Sequence, residues 1–482
     1  MASTSTISSL GVGAGIDSEG IVTKLVALES QPITQLKTEA SKVQSKISAY
    51  GKIQSAVSDL QSAARKITSV DTWGATTASS SDATAVTAST SSGAQTGSYS
   101  VVVNSLAKPQ SVVSNSYMSS SSAALGASGT LTIELGSWSG STFSAGSSSV
   151  NVSVAATDTL ETIRDKINKS SSGVKATIIT DSSGSRLVMQ SATTGASNGF
   201  RITAADGDGN NTDDSGLSTF AYAPDSATSG TTLTQSASDA SATINGVAVT
   251  STTNTLSEVV TGLTLTLSKA SSTATTITVG QDNDSITSAL QDFATKYTAL
   301  SDLLRSNTKY DESTKTAGTL QGDSGAVSIL NQMRAIVGGS TSASSTFTTL
   351  SSIGLEVQSG GGLTVNASKL KSALNNLPEV KKLLANSDSS DPTKDGIGTR
   401  MRTLTSTVLD LEGTLTTRTK GLNATLNDNS KRQEQMQSRV DLYEKRLRAQ
   451  YSALDTAMAK LTSNSNYVTQ MITSLNKSSS SS

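Results

Sequence analysis

Two rows of residues repeat every seven positions along the last part of the chain. One row is Leu415, Leu422, Asn429, Met436, Tyr443, Gln450, Ala457, Asn464 and Met471; the other is Leu426, Gln433, Val440, Leu447, Leu454, Leu461, Val468 and Leu475. Offsets of three and four place both rows on one stripe of an α-helix, and a strict seven-residue period predicts a left-handed coil with a partner helix. At 1.5 Å per residue this helix is on the order of 90 Å long, too long for the inside of one compact domain. A partner is available near the other end. Ile33, Leu36, Ala40, Val43, Ile47 and Tyr50 step by three and four, and Ile53, Val57, Leu60, Ala64 and Ile67 continue the spacing after a phase slip at Gly51. The two patterns predict an antiparallel stalk. Its N-terminal helix rises, its C-terminal helix returns, and everything between about residues 75 and 400 forms a head.

Ahead of the stalk, Asp17 or Ser18 can cap a helix with apolar positions Ile21, Leu25 and Leu28, and Pro32 sits where that helix stops and the long one starts. The middle of the chain alternates instead. TGSYSVVVNSLAKPQSVV reads as the first strand, followed by GTLTIEL, VNVSVA, VKATIIT, SRLVMQS and GFRITAA; ATINGVAVT reads as a hairpin on Asn245 and Gly246, before GLTLTLS and TTITV. TDTLETIRDKIN between them reads as a short helix with Asp158 and Glu161 in capping-box positions. Helical spacing returns at Ile286, Leu290, Phe293, Tyr297, Leu300 and Leu304, and again at Val327, Leu330, Met333 and Val337. A strand pair, SIGLEV and GLTVN, and a capped helix beginning at Ser368 complete the passage to the coil. The expected fold class is α+β multidomain, a long antiparallel helical stalk with inserted β-rich head domains.

Composition removes most chemistry. The chain has no Cys and no His, which excludes disulfides, thiol nucleophiles, imidazole bases and nearly all zinc sites. A net charge of -1 offers nucleic acid and anionic membranes little to hold. With 35% hydrophobic and 16% charged residues, Ser, Thr and Asn carry the polarity, so the head is expected to have modest cores. No apolar run is long enough to span a membrane, and MASTSTISSLGVGAGID lacks the parts of a cleaved signal, so the general secretion route is not expected.

Motifs that suggest ligands dissolve on inspection. GVGAG at 11–15 has Ile16 in the last Gly position of a dinucleotide loop and no preceding strand. DGDGNNTDDSG at 206–216 is acidic, yet an EF-hand register from Asp206 puts Asn211 at the obligatory glycine and Leu217 at the obligatory glutamate. Asp214-Ser215-Gly216 and Asp323-Ser324-Gly325 follow no apolar strand, as an aspartic protease requires. No cofactor, metal or catalytic residue is assigned.

A resemblance covers nearly the whole chain. LGVGAGIDSEGIVTKLVALESQPITQL with SAYGKIQSAVSDLQSA is similar to the N-terminal signature of the bacterial flagellar filament cap family, hook-associated protein 2. GTLTIEL through SRLVMQSATTG resembles the repeat shared with flagellins. ATINGVAVTSTTNTLSEVVTGLTLTL, IGLEVQSGGGLTVNASKLKSAL and LRAQYSALDTAMAKLTSNSNYVTQM resemble the family's C-terminal half. Ala14 stands where the family usually has Ser, and SGGGL lacks its usual acid.

The resemblance implies a secreted structural protein at the distal filament tip, exported unfolded by the flagellar type III route with a cytosolic chaperone on its C-terminal helix. It implies a ring, a pentamer or similar, that retains flagellin, promotes its folding and supports motility, beside the hook-filament junction proteins. The expected division is terminal legs at 1–40 and 455–482, a stalk at 41–75 and 281–454, a β-rich head domain at 76–130 and 236–280, and an outer head domain at 131–235. Ile33, Leu36, Val43, Ile47, Tyr50, Val57, Leu60, Leu415, Leu422, Leu426, Met436, Val440, Tyr443, Leu447, Leu454 and Leu461 are the expected assembly seam. Ile16, Ile21, Leu25, Leu28, Val468, Met471 and Leu475 are the expected filament-contacting leg positions. An adhesin whose head binds host mucin or surface glycans is the alternative, and a hydrolase on a stalk has no residues to act with.

Overall fold

The computed structural model describes residues 17–115, 118–226 and 228–479. Residues up to Thr72 and from Ile286 onward form a helical unit, and Trp73–Ser285 form a β-rich unit. The expected fold class is the one observed.

The helical unit opens with α1 (Ser18–Glu29), capped by Asp17, whose Oδ1 accepts the Gly20 amide at 2.9 Å. After Ser30, α2 (Gln31–Thr68) begins with Pro32 in its first turn, where a missing amide hydrogen costs nothing. α2 continues unbroken through Gly51, which faces solvent.

Past the single turn α3 (Val70–Trp73) comes the β-rich unit. Its elements are β1 (Thr76–Ser80), β2 (Val86–Thr90), β3 (Gly97–Ser105), β4 (Ser111–Ser114), β5 (Gly129–Ser139), β6 (Thr142–Val154), α4 (Leu160–Lys169), β7 (Val174–Asp181), β8 (Gly184–Ser191), β9 (Gly199–Asp206), β10 (Tyr222–Ala223), β11 (Thr228–Ser229), β12 (Thr231–Gln235), β13 (Ala240–Ile244), β14 (Val247–Ser251), β15 (Thr255–Val260), β16 (Leu263–Leu267) and β17 (Ser271–Gln281). One core joins the sheet β1-β17-β3-β13-β14 to the sheet β15-β16-β2 and holds Val101, Val103, Ile244, Leu265 and Ile277. A second joins β11-β10-β9-β5-β6, β12-β4-β8-β7 and α4, around Leu131, Ile133, Ile163, Leu187 and Phe200. Val112 of β4 lies in this second core, so the layer draws on chain well before the boundary expected at residue 130.

Local chemistry explains where the pattern led and where it misled. Asn245 (φ 48°) and Gly246 (φ 86°) make the left-handed pair of a two-residue hairpin turn, and Asn245 Oδ1 accepts the Ser100 amide at 2.8 Å. The cap of α4 is Thr159, whose hydroxyl accepts the Thr162 amide at 3.2 Å, not Asp158. Asp158 turns back to the Ala155 amide and to Lys166, and Glu161 accepts the Ser121 hydroxyl at 2.7 Å, so no capping box forms. Asp206 accepts the amides of Leu217 at 2.6 Å and Ser218 at 2.9 Å, which makes the acidic loop a polar turn stapled from inside. β1 and β2, TTASS and VTAST, lie in the stretch read as preceding the first strand. Too polar to signal a strand, they are held by their ladders with β17 and β16.

The chain returns through α5 (Asn283–Thr308), which buries Ile286, Leu290, Phe293, Tyr297, Leu300 and Leu304. The turn β18 (Tyr310–Asp311) with β19 (Thr316–Ala317) leads to α6 (Ser324–Gly338). α6 buries Ala326, Ile329, Leu330, Met333 and Val337; Val327, expected on that face, is 37% exposed because the stripe runs one position to its side. β20 (Leu355–Val357) and β21 (Leu363–Val365) pair, and α7 (Ala367–Ala373), capped by Asn366, begins one residue before the expected Ser368. α8 (Leu377–Ala385) and α9 (Ile397–Leu409) precede α10 (Thr414–Ser479), an unbroken 66-residue helix.

α9, which no sequence pattern singled out, lies along α2. Gly398 makes the approach possible: a Cβ there would come within 2.7 Å of the Leu384 carbonyl oxygen and 3.0 Å of Ile67 Cδ1. Gly398→Ala should therefore lose about 2 kcal/mol despite improved helix propensity, because backbone must shift. Urea unfolding measures it, and an unchanged midpoint would show the gap to be elastic.

Candidate functional site

The residues expected to form the assembly seam lie on α2 and α10, which pack against each other. Of the expected seam residues on α2, Ile33, Tyr50, Val57 and Leu60 are buried, and Leu36, Val43 and Ile47 are half-buried. On α10, Leu415, Val440 and Leu447 are buried, while Leu422, Leu426, Met436 and Tyr443 are half-buried. Asn429 sits in the seam at 8% exposure, accepting a hydrogen bond of 2.6 Å from Gln433 Nε2, so the polar pair is satisfied where it is desolvated.

A clasp fixes the register of the two helices. The Tyr50 hydroxyl donates to Asp323 Oδ1 at 2.6 Å, and Arg418 Nε and Nη2 donate to Asp323 Oδ2 at 3.0 and 2.8 Å. Asp323 also caps α6 through the Gly325 amide at 3.0 Å. Burial pushes the Asp323 carboxyl up, but the donors from Tyr50 and Arg418 outweigh it and hold the group below its ordinary range. Burial, with the carboxylate second, pushes the Tyr50 hydroxyl up, so it remains a donor at any neutral pH. In the sequence Asp323 stands out only as a protease look-alike; the signal for its place here is Asp-Ser-Gly opening a helix.

α1 is attached by ions as much as by apolar contact. Val22 is buried, Ile21 and Leu25 are half-buried, and Leu28 is 61% exposed. Arg448 forks onto Glu19 at 2.8 and 2.7 Å and reaches Glu444 at 2.8 Å, and Arg439 meets Glu29 at 3.0 Å. The guanidinium holds the Glu19 carboxyl below its ordinary value. Ile16 lies outside the described residues.

The seam ends where α1 begins. Leu454 and Leu461, expected inside the coil, are 44% and 61% exposed, and Val468, Met471 and Leu475 are 52%, 55% and 60% exposed. Gln450 and Ala457 are exposed while Tyr451 and Met458 are half-buried, the drift a 3.6-residue helix makes against a seven-residue repeat when, among the described residues, no partner underwinds it. Among the described residues no cluster of acids could hold a metal ion.

Residues 14–110 match the family model for the flagellar hook-associated protein 2 N-terminus, residues 237–463 that for its C-terminus, and residues 130–193 the flagellin hook IN motif. Over 475 residues the chain is 30% identical to flagellar hook-associated protein 2 of Escherichia coli K12, covering 96% of this chain and 97% of that one. The chain belongs to the flagellar hook-associated protein 2 family. The Salmonella typhimurium protein of the same name is 30% identical over 486 residues, covering 98% and 99% of the two chains. In structure, the chain is similar to the D1-D2-D3 domains of the flagellar cap protein FliD from Escherichia coli, with a TM-score of 0.61, 29% identity, and coverage of 78% of this chain and 99% of that one.

Asp323→Asn keeps the cap of α6 but loses the ion pair, and since Arg418 is half exposed the cost should be about 2 kcal/mol at pH 7. A carboxyl depressed in the folded state contributes stability above its unfolded pKa of about 3.9 and loses it as pH falls further. The gap between wild type and variant should therefore close between about pH 4 and the lower folded value. Denaturant titrations at pH 7 and pH 3 compare them, and a constant gap would place the destabilisation elsewhere.

Proposed function

We propose that this chain is a structural, self-assembling cap subunit at the distal tip of the bacterial flagellar filament. It is exported and retains arriving flagellin so that the subunits fold and polymerise, which motility requires. The observation that carries the reading is family membership across almost the full length, in relatives named hook-associated protein 2, with a structural likeness to the D1-D2-D3 domains of a flagellar cap protein. Among the described residues, no helix is long and apolar enough to cross a membrane.

In this reading the head domains make the plate, α2 with α10 makes the stalk, and the terminal segments 1–40 and 455–482 are legs. The exposed row Leu454, Leu461, Val468 and Met471 supports the last assignment, since an apolar stripe of that length is unusual on a surface that meets only water. The partners are further copies in a ring, a pentamer or similar, then flagellin, the hook-filament junction proteins and, before export, a chaperone on α10. The role is structural, not enzymatic. The adhesin alternative finds no support in the relatives' names.

Cells whose only copy carries Leu461→Asp with Val468→Asp should release flagellin into the medium and build few long filaments, although the protein itself is exported and folded. Two carboxylates in an apolar contact cost several kcal/mol. Filament length by electron microscopy and flagellin in the culture supernatant are the readouts, and normal filaments would remove the legs from the capping role.

A further inference from the structure

The pairing of α2 with α10 leaves two flanks, one on each side of the seam. On one flank a groove runs along the helices as two cavities of ≈ 410 and ≈ 500 Å³ that share Gln435 and Arg439. Arg432, Arg439 and Arg446 line it from α10 at seven-residue spacing, and Glu39 lines it from α2. Leu442, 69% exposed, stands beside the arginines and adds apolar area. By the step of roughly 100° per residue, the opposite flank presents Glu434, Asp441 and Glu444 from α10, with Arg448 among them but held by Glu19 and Glu444, and Lys37 from α2.

These flanks are charge complements of one another at the same height. Arg432 answers Glu434, Arg439 answers Asp441, Arg446 answers Glu444, and Glu39 answers Lys37, each within two positions in the numbering. Two positions are about 3 Å of rise, well within the reach of these side chains. We infer that copies of this chain associate side by side through these flanks, the arginine flank of one against the acidic flank of the next.

The inference rests on the reading of the chain as a ring-forming subunit and names the surface that closes the ring. Rotation about an axis parallel to the helices leaves every residue at its own height, so only a partner numbered alike meets this pattern in register. Because the two surfaces differ, the contact is heterologous and repeats around a closed ring; a two-fold contact of like flanks would set arginine against arginine. Some of the charges already have partners within the chain: Arg439 with Glu29 at 3.0 Å, Asp441 with Gln437 at 2.8 Å, Glu444 with Arg448 at 2.8 Å. Among the described residues, Lys37, Glu39, Arg432 and Glu434 form no ion pair, which leaves them to choose the neighbour and its register. Lys431 and Lys445 lie next to the acidic row on the outward face and keep it narrow.

Full-length variants test this by native mass spectrometry and sedimentation. Glu39→Lys with Arg432→Glu should raise the concentration for half assembly at least about ten-fold, and Lys37→Glu with Glu434→Arg should do the same, with unchanged circular dichroism and melting. All four substitutions in one chain should restore the wild-type assembly, and raising salt from 0.05 to 0.5 M should weaken the wild type. Rings unaffected by either pair, or a fourfold variant that stays dissociated, would overturn the interface while leaving the ring reading intact. A wild-type chain that remains monomeric at every concentration would sink the ring reading and the interface with it.

Discussion

A carboxylate taken out of water must be met by donors from wherever the chain can bring them, and Asp323 draws them from opposite ends of the sequence. Tyr50 comes from α2 and Arg418 from α10, while the acid itself opens α6. Apolar packing along a long helical pair is tolerant of sliding, since one turn of displacement exchanges one leucine for another. A desolvated ion with two directional partners is not. The clasp therefore decides which residues of α2 and α10 share a height, and every feature of the pair's flanks depends on that alignment.

How much of this could be read from the residues varies with how local the cause is. The seven-residue rows declared α10, and the Asn245-Gly246 turn declared its hairpin, because each follows from neighbours in the chain. The clasp could not be read, since nothing in Tyr50, Asp323 and Arg418 points to one another across such separations. α9 escaped notice because Gly398, poor in propensity, is there for the sake of close approach to Ile67. β1 and β2 escaped because Thr and Ser make strands only when a ladder is offered. Along the seam between α2 and α10, the buried positions were legible and the limit was not. The repeat runs on past Gln450, while the helix that could cover it begins at Ser18, opposite Arg448.

The weak apolar content of the seam also has a physical reading. Asn429 and Gln433 replace two positions at which leucine would pack better, and they satisfy each other. Polar seam positions trade stability for a single register. They act in the same direction as the clasp, so register is specified twice along one helical pair.

The β-rich unit is entered and left at neighbouring points, because Thr76 faces Gln281 across the β1–β17 ladder. From the side of the helices, the whole of Trp73–Ser285 then behaves as one short connection between α2 and α5. Loop-closure entropy grows only logarithmically with length, and here that cost is met within the strand ladder itself. Insertions, deletions or replacement of entire layers between those two strands leave the helical unit with the same end-to-end constraint. The β-rich part of such a chain is free to diverge, in size and in surface, while the pair α2 and α10 keeps its register.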